Sequence, residues 1–188
     1  MATSAKPTAS QTRNEQEDEK FNLLFGVRRS IRYHNRRERF FDRLHKVTTF
    51  LSALSGTATI AAVFAKAGPP WTIGFAALVA IFSVMDLVVG TSAAARRHND
   101  LARRFFALEK QIISLKTLTD DDLIAFKTAR LDIEAEEPPP LKVLDVVCHN
   151  ELLRAMGYDR TEFIPIKWYQ RLFCQFFDIR EHAIPNKA

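Results

Sequence analysis

The sequence predicts an all-α membrane protein, built as a two-helix transmembrane hairpin with a cytosolic N-terminal amphipathic helix and a C-terminal helical domain. Three observations carry this. The long apolar stretches sit almost entirely between residues 47 and 95, in two adjacent runs, 47–65 and 71–95. Arginines crowd the outer edges of those runs, while the bend between them holds a single cation, Lys66. No segment shows the period-two alternation of a half-buried strand.

The bulk figures alone do not announce a membrane protein. The hydrophobic fraction of the 188 residues is 47%, ordinary for a soluble chain, because charged flanks dilute the apolar block. The net charge of +5 invites a nucleic-acid reading. The placement of the arginines at the edges of the apolar block is explained more directly by a bilayer, so no nucleic-acid partner is expected. Two cysteines, Cys148 and Cys174, form no C-x-x-C pair and read as reduced thiols of a cytosolic domain.

Residues 1–20 are polar, carry no apolar h-region of a cleavable signal, and are expected to be disordered. Residues 21–46 contain no proline and one glycine, with Phe21, Leu24, Phe25, Ile31, Phe40, Phe41 and Leu44 set among arginines. This predicts a cytosolic or juxtamembrane helix, apolar on one side and cationic on the other. Residues 47–65 are uncharged; at 1.5 Å per residue they span about 28 Å, close to the hydrocarbon thickness. Lys66-Ala67-Gly68-Pro69-Pro70 breaks the helix. Residues 71–95 form a second apolar run with one charge, Asp86, and Trp71 at its start as an interfacial anchor. So short a bend forces an antiparallel hairpin. Lys/Arg asymmetry places both termini in the cytoplasm, with Arg36, Arg37, Arg39, Arg43 and Lys46 before the first span and Arg96 and Arg97 after the second as topogenic, headgroup-facing residues.

Residues 96–188 read as a cytosolic helical domain. The second span is expected to run into the next helix without a break. There Leu101, Phe105, Leu108, Ile112 and Leu115 recur at spacings of four and three, a coiled-coil-like seam and the candidate oligomer contact. Thr119 before three aspartates reads as an N-cap. Pro138-Pro139-Pro140 stops that helix, and Gly157 caps the one after it. Residues 166–179, dense in aromatics, lie either in the membrane interface as an amphipathic helix or against the cytosolic helices.

Asp86 is the most informative residue. It lies ten positions before Arg96, near mid-bilayer, where an ionised carboxylate costs about 3 kcal/mol unless it meets water or a partner. Ser83, Asp86, Gly90 and Ala93 share one small, polar face. In the first span Ala53, Thr57, Ala61 and Ala65 make a small-residue stripe, with Ser52, Ser55 and Gly56 beside it. Two readings stand side by side. Small residues let helices pack closely, with Asp86 bonded to Thr57 or Thr59, or several hairpins assemble and this face lines an aqueous path. The chain holds no P-loop, Gly-rich dinucleotide turn or nucleophile elbow. Catalytic residues, cofactors and metals are therefore not expected, and the acidic group Asp132, Glu134, Glu136 and Glu137 reads as a solvated helix end. The pairs His34-Asn35 and His98-Asn99 are each followed by arginines and a Phe-Phe pair, a similarity too short to define a repeat.

Four stretches together resemble the SLATT family of two-transmembrane effector domains. They are the run from Arg39 to His45 entering the first span; Met85-Asp86-Leu87-Val88-Val89-Gly90; His98-Asn99-Asp100-Leu101 with Arg104-Phe105; and the acidic segment from Leu131 to Pro139 leading to Cys148-His149-Asn150-Glu151. The order of these parts is more specific than any one of them. The resemblance implies a homo-oligomeric pore in the inner (cytoplasmic) membrane that impairs the host cell when a defence signal arrives. No synthase, sensor or protease segment is recognisable within these residues, so the trigger is expected from a separate sensor protein or a nucleotide signal. The alternative is a non-conducting membrane anchor or scaffold that docks a cytosolic partner.

Overall fold

The computed structural model describes residues 9–66 and 68–179, with side chains from residue 14 onward other than those of Met85, Asp86 and Val89. Among the described residues six α-helices follow one another: α1 (Ala9–Phe64), α2 (Pro69–Val89), α3 (Thr91–Ser114), α4 (Asp120–Glu134), α5 (Lys142–Ala155) and α6 (Trp168–Phe173), with a 3-10 turn at Arg160–Glu162. No strand occurs among the described residues. The chain divides into two compact units: one takes the chain up to His34 and from Asp100 onward, the other is Asn35–Asn99. Helices α1 and α3 each contribute to both.

Helix α1 is longer than the sequence reading allowed. The juxtamembrane helix and the first apolar run are one uninterrupted element of 56 residues, and it begins at Ala9, within the stretch expected to be disordered. Its N-terminal part is held by contacts from distant residues: Lys127 Nζ donates to Glu19 Oε2 at 2.7 Å, Lys20 Nζ to the Leu115 carbonyl at 2.8 Å, and Gln16 to Asp120. A polar composition disfavours order only while such partners are absent.

At the other end of α1 the chain turns at Ala65 and Lys66, where Lys66 takes a left-handed φ of 51°. Helix α2 then starts on Pro69, a residue suited to a first helical turn whose N–H has no helical acceptor. The expected continuity of the second apolar run is wrong: α2 stops at Val89, Gly90 adopts φ 59°, and α3 restarts at Thr91. Gly90 is the residue able to take that conformation without strain, so residues 71–95 are two helical pieces. Among the described residues one helix, Asn14–Phe64, contains a stretch long and apolar enough to cross a membrane; the apolar part of α2, Pro69–Val84, is shorter.

In the first unit, Leu23 and Val27 of α1 pack with Leu101, Phe105, Leu108 and Ile112 of α3, and with Leu118, Leu123 and Ile133 in and before α4. Each large apolar side chain buried here contributes about 2–3 kcal/mol. A second cluster joins Tyr33, Val143, Leu144, Val147, Cys148 and Cys174, and both cysteines are free thiols, as the sequence suggested. The Thr119 cap is present with its reciprocal Asp122 bond. Gly157, at φ 84°, closes the C-terminus of α5.

Candidate functional site

The acidic segment at the end of α4 keeps Asp132 and Glu136 exposed to solvent, as expected of a helix end, but its glutamates also make a clamp. Each of its three glutamates meets a base. Glu134 accepts from Arg130 Nε at 2.6 Å. Glu136 takes both Nη groups of Arg104, at 2.6 and 2.9 Å. Glu137 Oε1 lies 2.9 Å from His34 Nε2. The His34 side chain is 1% exposed, and its ring stacks on Phe105 with centroids 5.6 Å apart. A polar group so deeply buried is stable only when bonded, so Glu137 anchors the acidic segment to α1 of the same unit. Pro138-Pro139-Pro140 then carries the chain, without N–H groups to satisfy, to the start of α5.

That start has no cap of its own. Leu141 offers no side-chain acceptor, and the orphan amides of a first helical turn need partners. Tyr33 Oη accepts from Leu141 N at 2.9 Å, and the Asp178 carboxylate accepts from Lys142 N at 2.8 Å and Val143 N at 3.0 Å. Further along α5, Asn150 bonds both the amide and the carbonyl of Ile164, and His149 meets the Phe25 ring edge-on. Burial raises the Asp145 carboxyl above its ordinary value, against the opposing pull of Arg29. Arg29 Nε lies 3.2 Å from Asp145 Oδ1 but lacks the alignment of a hydrogen bond. No group of three or more potential metal ligands occurs among the described residues.

The seam assigned to oligomer contacts is placed elsewhere. Leu101, Phe105, Leu108 and Ile112 lie in the core of the first unit, and Leu115 is half-buried just beyond α3. Side chains covered by their own chain have no surface left for another copy. The large apolar residues that α3 leaves exposed are Phe106 and Ile113; on α4 they are Ile124 and Leu131. Both pairs are spaced by seven, a signal the sequence holds but which the stronger four-three pattern overshadowed.

The second unit has the opposite surface. Four of its polar residues, Thr48, Ser55, Thr91 and His98, are buried, Thr91 to 1%. Phe50, Phe64, Trp71, Ile73, Leu87 and Val88 face outward, Phe64 at 84% and Leu87 at 82%. The covered face of α1 is Thr48, Ser55 and Ala62, with Ser52, Gly56 and Thr59 half-covered. The Ala53–Thr57–Ala61 stripe, one position away, is exposed, as are Ser83 and Ala93. The break at Gly90 leaves Ser83 in α2 and Ala93 in α3, so the four-residue face drawn through Ser83, Asp86, Gly90 and Ala93 does not lie on one helix. Asp86 falls within α2, and its side chain lies outside the described ones. Thr57 and Thr59, named as its partners, donate to Ala53 O and Ser55 O of their own helix, each at 2.9 Å.

Several bases on the edge of this unit are engaged. Arg37 sits over the Phe41 ring at 4.5 Å, Arg39 donates to Asn35 O, and Lys46 pairs with Asp42 at 2.7 Å. Arg36 is half-buried, while Arg43, Arg96 and Arg97 are exposed. The two His-Asn motifs also acquire a structural meaning. Among the described residues each unit contains a stack of a histidine on a phenylalanine, His34 on Phe105 in the first and His98 on Phe41 in the second. Each stack takes its histidine from one motif and its phenylalanine from the other. No family model matches this chain, and neither a curated protein nor a solved structure matches it.

Proposed function

We propose that this chain is a two-span protein of the inner (cytoplasmic) membrane, both termini cytoplasmic, that oligomerises into a pore as the effector of a prokaryotic conflict system. The observation that carries the membrane reading is the inverted surface of the second unit, where hydroxyls and an imidazole are inside and Phe, Trp, Leu and Val are outside. In water such a surface is an aggregation liability; in hydrocarbon it is the stable arrangement, because polar groups then find partners only within the protein. Helix α1 supplies one crossing. The turn at Lys66 and the apolar α2 supply the return, and the arginines on both outer edges keep those edges in the cytoplasm.

The pore part of the proposal rests on small residues that are exposed, Ala53 and Thr57 on α1 and Ser83 on α2, taken together as a lining face. One hairpin cannot enclose water, so that face needs further copies to become a lining. On α3 and α4 of the first unit, Phe106, Ile113, Ile124 and Leu131 are exposed large apolar residues available to such contacts. The trigger is a separate sensor protein or a nucleotide signal, as the SLATT resemblance implies. No catalytic chemistry is proposed.

The test is reconstitution of purified chain into dye-loaded vesicles. Leakage that depends on protein concentration, and changes in Asp86→Asn without loss of insertion, supports the pore. Sealed vesicles across lipid compositions favour the non-conducting anchor. A cysteine introduced at Lys66 tests topology separately: it should be labelled only from the side opposite both termini.

A further inference from the structure

We propose that residues 166–179 form a second, peripheral membrane contact that docks on an anionic lipid surface. The segment is two-faced. Gln170 and Cys174 turn inward and are buried, and Gln170 Nε2 donates to the Ile179 carbonyl at 3.0 Å. Trp168, Leu172, Phe173, Phe176 and Phe177 turn outward, and Trp168 is 77% exposed. A contiguous patch of this kind on a soluble face marks an interaction site.

The charge around it selects the occupant. Lys167 and Arg171 lie on the segment itself, and Arg171 also lines, with Arg154 and Glu151, a pocket of about 160 Å³ beside it. The carboxylate of the segment, Asp178, is already engaged by the Lys142 and Val143 amides. What faces outward is aromatic and cationic, the chemistry that settles at the headgroup boundary of an anionic bilayer. The chain also carries a helix long and apolar enough to cross a membrane. The proposal rests on the two-span reading in this one respect: a tethered surface meets a bilayer at high effective concentration and needs little intrinsic affinity.

The two tryptophans of the chain, Trp71 and Trp168, separate this proposal from the one it builds on. The full chain is reconstituted in vesicles containing anionic lipid, with or without acyl-chain bromines, as single-tryptophan variants. Trp71→Phe reports Trp168, and Trp168→Phe reports Trp71. The expected result is loss of most Trp168 emission with brominated lipid, a blue-shifted spectrum, and weaker quenching in purely zwitterionic vesicles. Leu172→Glu in the Trp71→Phe chain should reverse the shift while circular dichroism stays unchanged. If Trp71→Phe impairs insertion, the intact protein minus the Trp168→Phe spectrum isolates the same signal. Trp168 quenched by aqueous acrylamide and indifferent to brominated lipid, while Trp71 is quenched by lipid, overturns this proposal and leaves the two-span reading standing. Trp168 shielded from both quenchers also overturns it and assigns the patch to a protein partner. Both tryptophans in water overturn both readings.

Discussion

Replacing Glu137 by alanine should destabilise the first unit more than any other single change in its acidic segment. The His34 side chain is 1% exposed and Glu137 is 17% exposed, so water cannot readily replace the carboxylate at Nε2. Losing the partner of a buried polar group costs about 1–3 kcal/mol. Glu136 offers the contrast. Its pair with Arg104 is bidentate, but the Glu136 side chain is 62% exposed, and an ion pair so placed is worth about 0–1 kcal/mol. For a chain of this length each kcal/mol moves the midpoint by about 2–4 °C. Glu137→Ala should therefore lower Tm by about 2–12 °C, and Glu136→Ala by at most about 4 °C. Glu137→Gln keeps an acceptor and should fall between wild type and Glu137→Ala. Adding His34→Phe to Glu137→Ala should recover part of the loss, because an apolar ring in place of the imidazole leaves nothing to satisfy while keeping the stack on Phe105. Thermal melts followed by circular dichroism in one detergent give all five values. The reasoning fails if Glu136→Ala proves the more damaging, or if the double variant is less stable than Glu137→Ala alone.

Three further outcomes follow from the same geometry. Ser55→Leu overfills a buried position of the second unit and should cost about 1–3 kcal/mol, whereas Ala53→Leu, on the exposed stripe, should stay within about 0.5 kcal/mol; equal melting points would contradict the assignment of faces. Gly90→Ala should cost about 1–2 kcal/mol through the left-handed backbone alone, since an added Cβ meets no atom within 4 Å; a neutral result in a melt would mean the break is not held at that residue. Asp145 has a folded value raised above its ordinary 3.8 by burial, so the folded chain binds protons more readily than the unfolded one, and the penalty for the charged form is complete above the folded value and relieved as pH falls through it. Asp145→Asn should thus raise stability slightly at neutral pH, by less than about 1 kcal/mol because the side chain still meets water, and the advantage, read from thermal melts, should shrink towards pH 3.8; an advantage that grows on acidification would contradict the assigned sign.

Several elements were legible because their causes are local. The break expected at 66–70 separates α1 from α2, Thr119 with Asp122 caps α4, Gly157 closes α5, and Pro138-Pro139-Pro140 separates two helices. The all-helical class followed from periodicity. Where the reading went astray, remote partners or backbone geometry decided. The polar start of α1 is ordered by Lys127 and Leu115, about a hundred residues away, and the glycine at 90 was read as a packing residue when it is a break. The seam on α3 was correctly seen as apolar but assigned to another copy, because an amphipathic stripe looks the same whether its own chain or a neighbour covers it.

Residue order by itself therefore determined which segments are helical, where most of them stop, and that apolar surface is concentrated between residues 47 and 95, since propensity, turns and hydropathy act over a few neighbouring positions. Only the tertiary structure decided that Glu137 belongs to His34, that Asp178 caps a helix some thirty-five residues earlier, and that Thr48, Ser55 and Thr91 face inward while Phe50, Phe64 and Trp71 face outward in Asn35–Asn99. Burial and partnership are relations between distant residues, and those exist only once the chain has folded.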